Sequence, residues 1–215
     1  MITGIVLAGG ASRRFGTDKL AAELDGATLL SRAIGAVRAV AGQVIVAGSE
    51  QDGSPGDQDE AVIFVADREP SAGPLVALAD VLASLARAPA AADPRHDLAV
   101  VVGGDMPRLV PAVLSRMLER LNSDVDVEAV LLEAPGARRR QVLPLALRVE
   151  PATRAAAAAI ERGDRSLVRF ADRLVTAELV SREWRALDPA GDSLADIDTP
   201  GDLDRLRPGR PGRMG

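Results

Sequence analysis

Two short apolar runs, each ending in a pair of glycines, constrain the fold of this 215-residue sequence more than any other feature. Residues 3–8 read TGIVLA, and residues 98–105 read LAVVVGGD. A short segment that is apolar on both faces is typical of a strand inside a parallel sheet that helices cover on both sides. Both runs are therefore predicted to be buried strands that end where their glycines begin.

The rest of the sequence continues this alternation of strands and amphipathic helices. Further strands are predicted at 43–48, 61–67, 127–133 and 141–149, with an edge strand at 175–180. Helices are predicted at 28–40 with Thr28 as the cap, at 74–88, after Pro111, at 151–162, at 165–173, and after a capping box of Thr199 and Asp202. The pattern favours an α/β fold with a mostly parallel sheet over residues 1–206. The Pro, Gly and Arg residues of 207–215 predict a disordered tail.

Composition excludes several classes of function. Aromatic residues make up 2% of the chain and the net charge is −5, so neither nucleic acid nor a membrane surface is an expected partner. The absence of cysteine excludes thiol nucleophiles and thiolate metal sites. The sequence shows neither a signal peptide nor an apolar run near the roughly 18 residues that a membrane helix needs. We expect a cytoplasmic enzyme that is a monomer or a weak homo-oligomer.

The loop after the first strand carries the strongest indication of a ligand. Residues 9–19 combine a glycine pair with Arg13, Arg14 and Lys19. Glycines let backbone N–H groups converge on phosphate oxygens, and the cations add charge that favours phosphate. The spacing fits neither a Walker A loop nor a dinucleotide fingerprint. The loop therefore predicts a phosphate site, and the alternative is a plain connection whose charges are solvated.

Asp105, at the end of the second buried run, is the leading candidate for a metal ligand. A carboxylate next to a buried strand is costly unless a cation compensates it, and Mg²⁺ is commonly held by one or two carboxylates together with substrate phosphates. The alternative is an aspartate that caps a turn or a helix. Combined with the basic loop, Asp105 indicates a site for a magnesium nucleotide.

These motifs, taken in order, resemble those of the MobA-like nucleotidyltransferase family. Residues 7–20, LAGGASRRFGTDKL, match its signature L-A-G-G-x-S-x-R-x-G-x-D-K, and 103–107, GGDMP, resemble its metal-binding element. Residues 67–78 are similar to its D-x(4–6)-G-P-L segment, 163–167 to its G-x-R-S-L loop, and 197–203 to its closing N-T-P-x-D-L segment. The resemblance implies a three-layer α/β/α, Rossmann-like fold whose mostly parallel sheet has an antiparallel edge portion.

The resemblance also implies roles for individual residues. The implied catalytic residues are Lys19, Arg14 and Asp105, with Asp105 as the Mg²⁺ ligand. The implied nucleotide-binding residues are Leu7, Ala8, Gly9, Gly10, Ser12, Arg14, Lys19, Asp67 and Gly73. The residues implied to face the acceptor are Pro144, Arg165 and Asp198.

The implied reaction is the transfer of a nucleoside monophosphate, preferably GMP from GTP, to the phosphate of molybdopterin or the molybdenum cofactor, with Mg²⁺ and release of pyrophosphate. Two alternatives stay open: a cytidylyltransferase or other pyrophosphorylase with a different phosphorylated acceptor, and a non-catalytic nucleotide-binding regulatory protein. Asp196 and Asp198 stand where the family frequently has asparagine, and their role stays open. The Arg138–Arg140 run is interpreted as a solvated turn, with a clamp for the acceptor phosphate as the alternative.

Overall fold

A computed structural model describes residues 1–9, 19–48, 62–66, 72–87, 97–136 and 140–206 of the chain. The strands are β1 (Ile2–Leu7), β2 (Glu23–Leu24), β3 (Ala27–Thr28), β4 (Gln43–Ala47), β5 (Val62–Val65), β6 (Leu98–Gly103), β7 (Ala129–Leu132), β8 (Leu145–Arg148) and β9 (Thr176–Leu179). The helices are α1 (Leu29–Arg38), α2 (Pro74–Arg87), α3 (Pro111–Asn122), α4 (Val149–Glu161), α5 (Leu167–Ala171), α6 (Ser181–Trp184) and α7 (Pro200–Leu206).

Seven of these strands form one sheet in the order β5-β4-β1-β6-β8-β7-β9. All neighbours in it are parallel except β8, which runs antiparallel to both β6 and β7. The predicted α/β class with a mostly parallel sheet is confirmed. The antiparallel portion is the single strand β8, which lies inside the sheet rather than at its edge. The predicted edge strand at 175–180 is β9, and β5 forms the opposite edge.

The sheet is covered on both faces, as the two apolar runs predict. In β1, Ile5 and Leu7 belong to the core beneath α2 and α4, whereas Val6 belongs to the core beneath α1 and α3. In β6, Val101 and Val102 divide between the same two cores. Successive side chains of a strand point to opposite faces, so a run that is apolar throughout is required wherever helices lie on both sides.

The boundaries of some elements differ from the predicted ones. Helix α1 begins after Thr28, whose hydroxyl oxygen accepts a hydrogen bond from the Ser31 N–H at 3.1 Å, and it ends two residues before the predicted end. The predicted strand at 141–149 is shorter, because only 145–148 pair in the sheet. Residues 141–143 instead line a cleft at the sheet's edge. None of the described helices is both long enough and apolar enough to cross a membrane. The tail predicted to be disordered lies outside the described residues.

Candidate active site

The site is built where the parallel strands end. In the register of the sheet, Leu7 pairs with Ala47 of β4 and with Gly103 of β6. The Gly104 N–H continues this pairing by donating to the Leu7 carbonyl at 2.9 Å. Residues that follow β1, β4 and β6 therefore share one edge of the sheet, formed by the carboxyl ends of these strands, where open α/β sheets bind their ligands. Asp105 is carried to this edge by β6.

Lys19 lies at the same edge and joins two carboxylates. It begins a short 3₁₀ turn, Lys19–Ala21, and its Nζ donates to Asp105 Oδ2 at 2.8 Å and to Asp198 Oδ1 at 3.1 Å. The side chains are 12% exposed for Lys19, 30% for Asp105 and 62% for Asp198. Residues that are 86 and 179 positions from Lys19 in the sequence thus converge on one ammonium group. Lys19 is also the only lysine in the sequence; the other basic side chains are arginines.

The segment that carries Asp198 is fixed at both of its ends. The Ile197 N–H donates to the Asp105 carbonyl at 3.0 Å, which ties the segment to the end of β6. The Asp202 carboxylate then accepts hydrogen bonds from the N–H groups of Asp198, at 3.1 Å, and Thr199, at 2.7 Å. The Asp202 N–H donates in turn to Thr199 Oγ1, so the predicted capping box at the start of α7 is confirmed.

Burial and charge change the pKa of two groups in this site. Burial by itself lowers the pKa of Lys19, but the hydrogen bonds and negative charges of Asp105 and Asp198 outweigh it and raise the pKa above 10.5. Burial raises the pKa of the Asp196 carboxyl above its ordinary value, and the charges of Asp198 and Asp105 add to this effect. Two carboxylates, those of Asp105 and Asp198, therefore bond to one ammonium, and the Asp196 carboxyl lies close enough to be affected by their charges.

Beside Asp105 the surface opens into a cleft of about 450 Å³. Its walls come from the start of α2, the end of β6, the segment before β8, the turn before α5 and the segment around Asp196. Two arginines, Arg140 and Arg165, and two aspartates, Asp105 and Asp196, are among the residues that line it. Gly73 has φ +99° and lies at the same place, since a Cβ on it would be 3.7 Å from the Arg165 carbonyl oxygen. This cleft is large enough for part of a nucleotide or its acceptor.

The two glycines before Asp105 differ in what an added side chain would contact. A Cβ on Gly103 would lie 2.4 Å from Asp105 Oδ1, closer than real Cβ atoms approach other heavy atoms. For a Cβ on Gly104, the nearest atoms would be the ends of the Leu20 and Leu30 side chains, at 3.3 Å. Gly103 is therefore the residue that leaves room for the Asp105 carboxylate in its observed position.

The structure brings together part of the predicted set of site residues. Lys19, Asp105 and Asp198 are in direct contact, and Gly73 lies beside Arg165. Leu7, Ala8 and Gly9 lie at the end of β1, on the shared edge of the sheet. Pro144 is buried, and the residues just before it line the cleft. Gly10, Ser12, Arg14 and Asp67 lie outside the described residues, so their predicted roles stay predictions.

Sequence reasoning missed one residue that shapes the site from outside it. Asp188 is 3% exposed, and its carboxylate accepts hydrogen bonds from the N–H groups of Gly191, Asp192 and Ser193 at 2.7–3.1 Å. Ser193 Oγ accepts in turn from the Val110 N–H at 3.1 Å. This turn leads directly into Leu194 and Asp196, which line the cleft. The Asp-Pro-Ala-Gly sequence at 188–191 is a turn signal that indicates such a role.

Comparisons with known proteins show which family the chain resembles. The family profile described as the MobA-like NTP transferase domain matches residues 4–179. A protein of Chloroflexus aggregans named probable molybdenum cofactor guanylyltransferase is 31% identical over 211 residues, which cover 94% of this chain and 92% of that protein. The molybdenum cofactor guanylyltransferase of Xanthomonas euvesicatoria pv. vesicatoria is 31% identical over 75% of this chain and 71% of its own.

A solved structure shares the fold. The crystal structure of molybdopterin-guanine dinucleotide biosynthesis protein A from Archaeoglobus fulgidus superposes with a TM-score of 0.74. The match covers 95% of this chain and 96% of that one at 21% identity. The 2-C-methyl-D-erythritol 4-phosphate cytidylyltransferase of Thermus thermophilus also superposes, with a TM-score of 0.60 at 18% identity over 94% of this chain and 95% of that one. At these identities the likeness concerns the fold.

Proposed function

Because the chain belongs to the MobA-like NTP transferase family, we propose that it transfers GMP from GTP to the phosphate of molybdopterin or of the molybdenum cofactor. Pyrophosphate is the second product. The names of the two relatives described above support this choice of base and acceptor. The observation that carries the proposal is the contact of Lys19 with Asp105 at the carboxyl end of the sheet, where Asp105 also lines the cleft.

The carboxylates at this corner fit a divalent cation such as Mg²⁺. Asp105 Oδ2 and Asp198 Oδ1 both lie within 3.1 Å of the same Lys19 nitrogen, so two oxygen ligands already face one cationic position. Within the described part of the chain, no three His, Asp or Glu side chains form a metal site by themselves. Such a corner suits Mg²⁺, which takes one or two carboxylates and completes its shell with water and substrate phosphates. When bound, Mg²⁺ would neutralise charge on the phosphates.

The residues of the chain would then act mainly by position and charge. In the proposed reaction an oxygen of the acceptor phosphate forms a bond to the α-phosphorus of GTP, and the bond from that phosphorus to the β-phosphate oxygen breaks. Lys19 would stabilise the negative charge that develops during this transfer, and Asp105 would hold the metal side of the nucleotide. The reaction needs no protein nucleophile, which agrees with the lack of cysteine.

The use of lysine at position 19 supports a specific role for an ammonium group. A guanidinium presents a planar fork of donors, whereas an ammonium is a compact charge that fits between two carboxylates and a phosphate. In a sequence that otherwise uses arginine for its basic side chains, Lys19→Arg keeps the charge and changes the shape. We expect this variant to lose most of its turnover, as we also expect for Lys19→Ala.

Release of pyrophosphate tests the proposal. The protein is incubated with molybdopterin or molybdenum cofactor, Mg²⁺, and GTP, CTP or ATP in separate reactions. We expect release with GTP, a loss of about 10²–10³ in kcat for Asp105→Asn and for Lys19→Ala, and abolition by EDTA. The matched control is Asp126→Asn, which is expected to keep full activity, because Asp126 is exposed and lies before β7, at the end of the strands opposite to the site.

Four results would contradict the proposal in different ways. Turnover with CTP in place of GTP would assign a cytidylyltransferase, and turnover with another phosphorylated acceptor alone would assign another pyrophosphorylase. Tight GTP binding without release toward any acceptor would favour a regulatory protein. Near-normal activity of both Asp105→Asn and Lys19→Ala would reject the assigned site.

A further inference from the structure

Arg140 lines the cleft beside Asp105, although the sequence analysis interpreted the Arg138–Arg140 run as a solvated turn. Arg140 precedes β8, and β8 begins at the edge where β6 ends, because Leu145 pairs with Val101 in antiparallel register. The segment before β8 is thereby brought beside Asp105. Arg140, Gln141 and Arg165 all line the cleft. The two arginines thus come from separate segments of the chain.

Arg140 forms an ion pair with Asp172, the residue that caps the C-terminal end of α5. Arg165 lies in the turn just before the same short helix. The ion pair therefore links the segment before β8 to the helix whose leading turn carries Arg165. The pair uses Nη1 of Arg140, and a guanidinium has five N–H donors. Within the described ranges, the Arg140 side chain has no further hydrogen-bond partner, and it is 35% exposed.

The charge of the cleft shows why such a residue is needed. Asp105 and Asp196 line the cleft, and Asp198 shares the Lys19 ammonium with Asp105. A phosphate monoester carries a charge of about −1.5 to −2 near neutral pH, so these carboxylates repel an acceptor of this class. Arg140 and Arg165 are the basic side chains that line this cleft among the described residues. A guanidinium can also bind two phosphate oxygens at once.

We propose that Arg140 binds the phosphate monoester of the acceptor and is a determinant of acceptor specificity, with Asp172 holding its guanidinium at the cleft wall. This inference rests on the proposed function for the identity of the acceptor. In this proposal Arg140 binds the acceptor, whereas Lys19 and Asp105 act on the nucleotide.

Equilibrium binding of molybdopterin to the protein, measured anaerobically by calorimetry, tests the assignment without turnover. Arg140→Ala removes one charge-assisted contact and is expected to weaken molybdopterin binding by about tenfold or more, with GTP binding unchanged. Arg140→Lys keeps the charge without the planar fork and is expected to bind with intermediate affinity. In turnover, the KM for the acceptor rises in both variants while the KM for GTP stays constant.

Arg173→Ala is the matched control. Arg173 is 31% exposed and forms an ion pair with Asp164 at 2.7 Å, so it resembles Arg140 in exposure and pairing, but it does not line the cleft. It is expected to bind molybdopterin as the wild type does. Thermal unfolding of each variant shows whether a loss of binding comes from a loss of folding, and Arg140→Lys provides the test if Arg140→Ala does not fold.

The outcomes separate this proposal from the proposed function. Molybdopterin binding by Arg140→Ala within twofold of the wild type overturns the role of Arg140, even if the wild type releases pyrophosphate. Equal losses of molybdopterin and GTP binding also overturn it, because Arg140 would then act on the whole cleft. Failure of the wild type to bind molybdopterin overturns it as well. If Arg140→Ala selectively loses molybdopterin binding while the wild type binds molybdopterin but releases no pyrophosphate, the role of Arg140 is supported and the proposed reaction is rejected.

Discussion

The substitution Gly103→Ala tests whether the glycine before the site exists to make room for the Asp105 carboxylate. Gly103 does not have a positive φ, so alanine can adopt its backbone conformation without strain. The difficulty is steric: the new methyl group would lie 2.4 Å from Asp105 Oδ1, whereas ordinary contacts begin near 3.4 Å. The carboxylate must therefore move by about 1 Å, away from the position in which it accepts from Lys19.

This displacement sets the expected size of the effect. A misplacement of about 1 Å in a site that works by position costs on the order of 10²-fold in rate. Apart from the Asp105 carboxylate, the nearest atom to the new methyl group belongs to the flexible Met106 side chain, at 3.4 Å, so the surrounding core accommodates it. We therefore expect Gly103→Ala to lose about 10²-fold in kcat/KM with a small change in Tm.

Gly104→Ala is the control for this experiment. The nearest atoms to its methyl group would be the flexible ends of the Leu20 and Leu30 side chains at 3.3 Å, so a shift of a few tenths of an ångström accommodates it. Pyrophosphate release is measured for both variants, and thermal unfolding reports on their folding. If Gly103→Ala were as active as the wild type, or if Gly104→Ala lost as much activity, the steric reasoning would be refuted.

Three further predictions concern the segments that hold the site. Asp188→Ala leaves the N–H groups of Asp192 and Ser193 without their acceptor, whereas the Gly191 N–H keeps the Asp188 carbonyl oxygen. The change is expected to cost about 3 kcal/mol, a fall of roughly 6–12 °C in Tm by thermal unfolding; an unchanged Tm would contradict this. Hydrogen bonds from the Thr199 hydroxyl and N–H lower the pKa of Asp202 below 3.8, so its ionised form stabilises the folded state above about pH 4 and this stabilisation is lost as pH falls through the folded-state pKa. The Tm difference between wild type and Asp202→Asn should therefore shrink at acid pH, and a difference that grows there would be the wrong sign. Lys19, as the only lysine, gives a single peptide to follow by amine acylation and mass spectrometry; Mg²⁺ with GTP should protect it relative to the N-terminal amine, and equal labelling with and without nucleotide would argue against its contact with phosphate.

The sequence by itself determined the class of fold and the order of its motifs. Apolar runs such as that of β6 can be stable only where both faces are covered, so they predicted a parallel sheet between two helical layers. Local chemistry also fixed the caps, because the hydroxyls of Thr28 and Thr199 bond to N–H groups three residues further on in their own segments. The family resemblance supplied Lys19 and Asp105 as partners in one site.

The tertiary structure alone decided which distant side chains meet. The antiparallel insertion of β8 places the segment of Arg140 beside Asp105, and no local pattern in 138–143 encodes that neighbour. The contact of Lys19 with Asp198 likewise depends on the backbone pairing of Ile197 with Asp105 across the molecule. Local hydrogen bonding and periodicity act within a few residues. The site, in contrast, depends on contacts between distant residues that form only after the strands of the sheet have paired in their final order.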